Sequence, residues 1–133
     1  MLLEHMNGKY GPQGGMQDKE ETEWQCVQRE YVEEVGYKFP SNLTPWDRFN
    51  IQHNTGSHSR CYLQQVDELP VEGQVGRYGT AGEIRQIRHF SLADINVMLA
   101  NQSHCELRAS AIASMQTEVK TLNDKCEFIN WGA

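Results

Sequence analysis

The stretch from Thr22 to Val35 is the first part of the chain in which apolar residues recur with helical spacing. They lie three or four positions apart, at Trp24, Val27, Tyr31 and Val35. Residues at these intervals share one face of an α-helix, so the pattern predicts an amphipathic helix over residues 22–35. Gly36 follows the last apolar position, where a glycine ends a helix.

Shorter apolar stretches with an alternating or mixed pattern predict strands. They are Met1 to His5, Trp46 to His53, Arg60 to Val66 and Glu83 to Phe90. The polar residues Asn54 to Ser59 separate the second strand from the third and predict a hairpin turn.

Two further helices are expected after the last strand. Ser91 is placed as the N-cap of the first, with Asp94 near the positive end of that helix. Apolar residues at helical spacing from Glu106 to about Asn123 predict a long packing helix. This order of elements predicts a single mixed α/β domain over residues 1–133, in which helices cover both faces of a sheet.

Residues Asp67 to Thr80 are polar and carry Gly73, Gly76 and Gly79 at a regular interval. A glycine loop that cradles phosphates needs a following helix, whereas the residues after this loop alternate like a strand. The stretch therefore predicts a mobile loop rather than a phosphate-binding loop.

One face of the predicted helix, beside the apolar stripe, carries Glu30, Glu33 and Glu34. Carboxylates at this spacing repel one another, so a cation is expected to compensate them. Arg29 can neutralise one charge, but a hard divalent cation such as Mg²⁺ suits several oxygen ligands better, and the helix follows the glycine pair Gly14-Gly15. The alternative interpretation is a solvated acidic helix face.

The charged and glycine positions of this region, from Gly15 to Tyr37, resemble the Nudix box, the signature of the Nudix hydrolase family. In order they are Gly15, five residues, Glu21, seven residues, Arg29-Glu30, two residues, Glu33-Glu34, one residue and Gly36. Tyr31 and Tyr37 depart from the signature, because the family usually carries aliphatic residues there. The resemblance implies the Nudix α/β/α sandwich with a mixed sheet. It also implies hydrolysis of a pyrophosphate bond in a nucleoside diphosphate linked to another group.

The same resemblance implies roles for individual residues. The metal would be Mg²⁺, with Mn²⁺ as an alternative. Its ligands would be the carboxylates of Glu30, Glu33 and Glu34 and a main-chain carbonyl of Gly14 or Gly15. Arg29 would hold one of these glutamates in place, and Glu21 would brace the loop against the helix. The general base would be Glu33 or a glutamate from a later loop, expected at Glu83 with Glu72 as a second alternative.

Pro12-Gln13-Gly14-Gly15 resembles the branch of the family that hydrolyses dinucleoside polyphosphates or the 5′-triphosphorylated end of RNA. The alternative interpretation is a turn in which Gln13 has no functional role. Other substrates remain open within the family, namely ADP-ribose, nucleotide sugars and nucleoside triphosphates. A non-catalytic nucleotide-binding module on the same fold is a further alternative.

The net charge of −6 and the pI near 5.3 argue against an extended nucleic-acid surface, because phosphate contacts need clustered Lys and Arg. A nucleotide-type small-molecule substrate is expected instead. No stretch approaches the roughly 20 apolar residues of a membrane helix, and Met1-Leu2-Leu3 is too short for a secretory signal. No Cys-x-x-Cys pair occurs among the four cysteines, so reduced thiols and a cytoplasmic location are expected for Cys26, Cys61, Cys105 and Cys126.

The strand predicted at Met1 to His5 lies unusually close to the box, because the Nudix family normally has a strand or two before the segment that leads into it. The chain thus resembles a version of the fold that is short at the N-terminus. An open sheet edge beside this strand would favour pairing with another chain, so a homodimer is expected.

Overall fold

The structure of the chain is a computed structural model that describes residues 1–40, 43, 47–53, 56–80, 82–101 and 106–132, with the backbone alone described for Asp47 and for residues 125–132. Strands and helices follow one another as β1 (Leu2–His5), β2 (Tyr10–Gly11), α1 (Glu23–Val35), β3 (Asp47–Gln52), β4 (His58–Leu63), β5 (Ile84–Arg88), α2 (Leu92–Ala100) and α3 (Ala109–Gly132). The predicted α/β class is confirmed.

β1 is the central strand of a sheet with the order β2-β1-β5. Both neighbours are antiparallel to it, with Leu3 opposite Gly11 on one side and opposite Ile87 on the other. Because β1 is paired on both sides, the open edge beside it, on which the expected homodimer depends, is not present. Parallel pairing in the described part of the chain is limited to a bridge between Tyr10 and Leu107.

The two faces of this sheet contribute to separate hydrophobic clusters. Leu3 and Ile87 pack with Tyr31 and Val35 of α1. Leu2 belongs instead to the cluster that contains residues of α2 and α3, namely Ile95, Ala111 and Met115. Successive residues of a strand point to opposite faces, which is why Leu2 and Leu3 enter different layers. The sheet therefore lies between α1 on one face and α2 with α3 on the other, as the expected sandwich requires.

β3 and β4 form a separate antiparallel hairpin. The first strand agrees with the prediction, although Trp46, at its predicted start, lies outside the described residues. The second strand is displaced towards the turn and spans His58–Leu63 rather than Arg60 to Val66. Asn54 and Thr55 of the predicted turn also lie outside the described residues.

An aromatic cluster joins this hairpin to α1. The ring of Trp24 packs edge-on against Tyr62 of β4, with ring centroids 5.3 Å apart, and against Phe39 at 5.5 Å. The Tyr62 hydroxyl donates a hydrogen bond of 2.8 Å to the Glu23 carboxylate. Tyr31 packs edge-on against Phe39 at 5.3 Å and is buried, so this bulkier residue of the box is accommodated by aromatic packing.

The glycine-rich loop lies against the C-terminal end of α1. Three backbone N–H groups, of Gly76, Tyr78 and Thr80, donate at 3.0, 2.9 and 2.9 Å to the carbonyls of Val35, Gly36 and Glu33. The last carbonyls of a helix have no partner within the helix, so the loop supplies these partners. Gly73 also exchanges two hydrogen bonds, of 2.9 and 2.7 Å, with Ile87 of β5. Residues 73–80 are thus tied to α1 and β5 by tertiary hydrogen bonds, which local composition does not reveal.

Gly36 and Gly76 bring their backbones into direct contact. Gly36 has a φ of +84°, and a Cβ atom there would lie 2.2 Å from the carbonyl oxygen of Gly76. A Cβ atom on Gly76 would lie 2.3 Å from the carbonyl oxygen of Gly36. Since both obstacles are backbone atoms that cannot rotate away, only glycine fits at the two positions.

The C-terminal helices agree with the sequence pattern in type, and α2 also in its start, whereas α3 begins at Ala109 rather than at Glu106. The Ser91 hydroxyl accepts a hydrogen bond of 3.1 Å from the N–H of Asp94, whose carboxylate accepts one of 3.2 Å from the N–H of Ser91. This capping box confirms Ser91 as the N-cap of α2. α3 spans Ala109–Gly132, beyond the predicted end near Asn123.

Among the described helices, none is both long enough and apolar enough to cross a membrane. Cys26 and Cys61 are free thiols, whereas Cys105 and the side chain of Cys126 lie outside the described residues.

Candidate functional site

Both ends of α1 are fixed by local signals. The Thr22 hydroxyl accepts a hydrogen bond of 3.1 Å from the N–H of Gln25, and the Gln25 side chain accepts one of 2.8 Å from the N–H of Thr22. This capping box starts the helix at Glu23. At the other end, Gly36 adopts the left-handed conformation and donates its N–H to the Val32 carbonyl at 3.1 Å. The helix prediction is confirmed, with Thr22 as the cap rather than the first helical residue.

The glycine pair before the helix lies directly over two of its glutamates. The N–H of Gly14 donates a hydrogen bond of 2.7 Å to Oε1 of Glu34. A Cβ atom on Gly15 would lie 2.3 Å from Oε1 of Glu30. The carboxylate of Glu30 therefore occupies the space that any side chain at position 15 would need.

Arg29 connects the loop to the carboxylates of the helix. Its guanidinium donates two hydrogen bonds to Glu21, of 2.7 and 3.0 Å, and one of 2.9 Å to the carbonyl of Met16. Its Nη1 atom lies 2.9 Å from Oε1 of Glu30 and 3.3 Å from Oε2 of Glu33. One guanidinium thus holds the loop on one side and two glutamates of the helix on the other.

Glu21 is fixed by donors from both the helix and the loop. Besides the two bonds from Arg29, it accepts one of 2.8 Å from the backbone N–H of Asp18. The hydrogen bonds from Arg29, followed by the one from Asp18, lower the pKa of Glu21 to about 2. Glu21 therefore stays ionised and serves as the fixed anchor for Arg29.

Glu34 has the opposite electrostatic setting. It is only 7% exposed, and burial raises its pKa to about 7, against the smaller lowering effect of the hydrogen bond from Gly14. The charges of Glu30 and Glu83 raise this pKa further, whereas Arg108 lowers it. A buried carboxylate beside other carboxylates is a group that gains most from a nearby cation.

This setting predicts how the stability of the metal-free protein depends on pH. A carboxyl whose pKa rises on folding favours the folded state while it is protonated, so its contribution is complete below about pH 4.5 and is lost as the pH rises through about 7. Each pKa unit corresponds to about 1.4 kcal/mol, so the loss between about pH 5 and about pH 8 is about 3 kcal/mol. Urea unfolding of the wild type and of Glu34→Gln at both pH values, with metal removed, measures it. The free energy of unfolding of the wild type, relative to that of Glu34→Gln, should fall by this amount between the two pH values. A difference that does not vary with pH contradicts the raised pKa of Glu34.

The carboxylates of the site differ in accessibility. The side chain of Glu30 is 12% exposed and that of Glu33 39% exposed. Within the described ranges, no three His, Cys, Asp or Glu side chains stand close enough together to hold a metal ion. Glu30 and Glu33 both contact the guanidinium of Arg29 instead. The donor set itself, with oxygen ligands and a buried Glu34 of raised pKa, is the type that suits a hard divalent cation.

The glycine pair contributes differently at its two positions. Gly14 faces Glu34 with its N–H, and the carbonyl oxygen of Gly15 lies 3.8 Å from the thiol sulfur of Cys26. The carbonyl of Gly15 thus lies near a side chain of α1.

The two candidates for a glutamate from a later loop lie in different places. Glu83 precedes β5, is exposed, and its charge acts on Glu34 and on His5. Glu72 instead accepts a hydrogen bond from the N–H of His89, beyond the other end of β5. Glu83 and the contact of Glu72 with His89 therefore lie at opposite ends of this five-residue strand, which spans roughly 17 Å. Glu83 is therefore the glutamate that the fold brings towards the carboxylates of α1.

Arg108, whose charge acts on Glu34, and its neighbour His5 were not singled out by the sequence pattern. His5 is buried at the end of β1, and its Nε2 lies 3.1 Å from Nη1 of Arg108. Burial, then the charge of Arg108, lowers the pKa of His5. The backbone N–H of Arg108 donates to the carbonyl of Tyr10 at 2.8 Å. Since this contact joins distant parts of the chain, no local signal could have revealed it.

Comparison with known proteins identifies the family. A family model described as NUDIX domain matches residues 3–110, which include every residue of the site. No curated protein and no solved structure matches the chain. Because the matched region extends from β1 to the start of α3, and thus over most of the chain, the chain belongs to the Nudix family.

Proposed function

We propose that this chain is a divalent-metal-dependent hydrolase that cleaves the pyrophosphate bond of a nucleoside diphosphate linked to another group. Nudix domains hydrolyse nucleoside diphosphate derivatives at this bond, which supports the reaction class. The observation that carries the proposal is the buried Glu34 carboxylate, which accepts a hydrogen bond from Gly14 and has its pKa raised by burial and by Glu30. Such a carboxylate pair is stabilised when a cation binds between its members.

Nudix enzymes generally use divalent metals such as Mg²⁺. Glu30, Glu33 and Glu34 would hold Mg²⁺, or Mn²⁺ as an alternative, with a carbonyl of Gly14 or Gly15 as a further ligand. When bound, the ion neutralises phosphate charge and lowers the pKa of a coordinated water. Arg29, anchored on Glu21, would keep the carboxylates of Glu30 and Glu33 directed to the same side.

Hydrolysis adds water across the P–O–P bridge. The water oxygen forms a bond to one phosphorus, the bond from that phosphorus to the bridging oxygen breaks, and a base takes a proton from the water. Glu33 and Glu83 are the candidates for this base, because both are accessible whereas Glu30 and Glu34 are largely buried. The hydrogen bonds from Arg29 to Glu33 are also long, at 3.3 and 3.5 Å, so Arg29 holds Glu33 less tightly than it holds Glu21 at 2.7 and 3.0 Å.

The substrate we propose is a dinucleoside polyphosphate or a 5′-triphosphorylated RNA end. Support comes from Pro12-Gln13-Gly14-Gly15, since Gly14 of this segment contacts the site directly. ADP-ribose, nucleotide sugars and nucleoside triphosphates are the alternatives within the family.

Removing divalent metal should abolish hydrolysis, because the three carboxylates repel the pyrophosphate unless an ion binds between them. The measurement is phosphate or nucleotide release from a panel of diadenosine tetraphosphate, 5′-triphosphorylated RNA, ADP-ribose, a nucleotide sugar and ATP. EDTA should eliminate activity, and excess Mg²⁺ or Mn²⁺, but not Na⁺, should restore it. Metal-dependent binding of these nucleotides without any turnover would instead identify a non-catalytic nucleotide-binding module and contradict the proposal.

A further inference from the structure

A groove of about 300 Å³ opens beside Glu33, on the side of the glycine loop. Three of its lining residues are glycines, Gly76, Gly79 and Gly82, so backbone rather than side chains forms much of its wall. Because the groove begins at a carboxylate of the proposed metal site, part of a bound substrate that extends beyond this site can lie in it.

Arg85 is brought into this groove by an irregularity in the sheet. Glu4 of β1 pairs with Gln86 and His5 pairs with Ile84, so Arg85 has no partner in β1. This extra residue is a β-bulge, a feature that redirects a side chain and is common beside active sites. The side chain of Arg85 is 59% exposed and lines the groove that Glu33 also lines.

One side of the Arg85 guanidinium is anchored. Its Nη1 lies 3.5 Å from Oε2 of Glu4, a buried carboxylate that also accepts a hydrogen bond from Gln86. This ion pair alone would explain an arginine at position 85. A guanidinium carries several N–H donors, however, and the exposure of this side chain leaves others directed to solvent and to the groove.

The lining of the groove favours phosphate over a nucleobase. Its polar side chains are Arg85, Gln74 and Glu33, and its apolar ones are Val75 and Ile84. No aromatic ring is among the described residues that line it, although bases without specific contacts bind mainly by stacking on aromatic side chains. A guanidinium instead matches phosphate geometry with paired N–H donors, and a glycine wall allows a phosphate chain to approach the backbone.

We propose that Arg85 binds a substrate phosphate beyond the pyrophosphate held at the carboxylates, so that the enzyme prefers substrates with three or more consecutive phosphates. This inference rests on the proposed hydrolase function and selects the substrate class within it. Nucleoside triphosphates, dinucleoside polyphosphates and 5′-triphosphorylated ends carry such a phosphate, whereas ADP-ribose and nucleotide sugars do not.

The test compares Arg85→Gln with the wild type on diadenosine tetraphosphate and on ADP-ribose. A charged hydrogen bond is worth enough to change kcat/KM by about 10- to 100-fold, and we expect this loss for the tetraphosphate, mainly through KM. For ADP-ribose the change should stay within about threefold. Equal losses for both substrates would overturn the proposal, because a purely structural role does not distinguish them.

Two variants separate phosphate binding from the contact with Glu4. Arg88→Gln removes a charge from the same strand outside the groove, and should leave the ratio of the two kcat/KM values unchanged. Glu4→Gln removes the carboxylate that anchors Arg85 without removing the guanidinium. Glu4→Gln should also preserve the ratio of the two kcat/KM values. If it changes this ratio as much as Arg85→Gln does, Arg85 acts only through Glu4.

A binding measurement distinguishes failure of this inference from failure of the proposed function. Calorimetric titration with inorganic triphosphate and with pyrophosphate, each with Mg²⁺, needs no turnover. Arg85→Gln should lose about 10-fold or more in affinity for triphosphate and little for pyrophosphate. If the wild type hydrolyses none of the nucleotides, the proposed function fails, and equal triphosphate affinity of the two proteins overturns the role of Arg85.

Discussion

Glutamine in place of Glu34 should lower kcat for metal-dependent hydrolysis by at least about 10²- to 10³-fold while the fold persists, because the carboxylate that we propose as a metal ligand loses its charge. The amide oxygen can still accept the hydrogen bond from the N–H of Gly14, which Glu34 accepts at 2.7 Å. The local shape is therefore retained. In the metal-free protein at neutral pH, the substitution should even stabilise the fold, because it removes a buried carboxylate whose pKa is raised to about 7.

The measurement is the initial rate at saturating Mg²⁺ on the best substrate of the panel. Circular dichroism and thermal unfolding check that the variant is folded. Glu20→Gln is the matched control, since it removes one carboxylate from the exposed loop just before the helix. Its kcat should stay within about twofold of the wild type. Unchanged activity of Glu34→Gln would show that this carboxylate does not hold the metal.

Alanine in place of Gly36 should produce the largest loss of stability, about 3–5 kcal/mol. Two costs add up: a left-handed backbone costs a non-glycine residue about 1–2 kcal/mol, and the displaced loop loses hydrogen bonds worth about 1 kcal/mol each. The new Cβ atom would lie 2.2 Å from the carbonyl oxygen of Gly76, so the loop has to move. Chemical denaturation gives the free energy of unfolding, and the melting temperature should fall by roughly 10–18 °C.

Gly8→Ala separates the two costs. Gly8 has a φ of +81°, close to the +84° of Gly36, but a Cβ atom there meets nothing within 4 Å. This variant should lose only the about 1–2 kcal/mol of the left-handed conformation. If both variants lose the same amount, the contact between Gly36 and Gly76 does not hold the loop to the helix.

The part of the fold that could be predicted from sequence is the part determined by neighbouring residues. The spacing of apolar residues and the stop at Gly36 identified α1, and Ser91 with Asp94 identified the start of α2. The Nudix spacing also selected residues of α1 and its preceding loop that the fold brings into contact, including Glu21 with Arg29 and Gly14 with Glu34. The partners lie within one short segment of the chain, the helix and the loop that precedes it, at separations of 8 and 20 residues.

What could not be predicted depends on contacts between distant segments. β2 has only two residues and pairs with β1, so no periodic pattern marks it. The bulge at Arg85 arises from the register between β1 and β5, and the contact of His5 with Arg108 joins opposite ends of the chain. The raised pKa of Glu34 follows from burial, which a sequence does not report. The electrostatic properties of the site could therefore be derived only from the structure.

The backbone contact between Gly36 and Gly76 has a consequence for how this enzyme can diversify. Backbone atoms, rather than side chains, fix the position of the loop relative to the helix that carries Glu33. Gln74 lies on the groove and is exposed, as is Arg77, so their side chains can vary while the spacing between groove and carboxylates stays constant. If the proposed site is correct, substrate preference can change by single substitutions in the loop without disturbing the carboxylates of α1, which makes this loop the place to begin redesigning specificity.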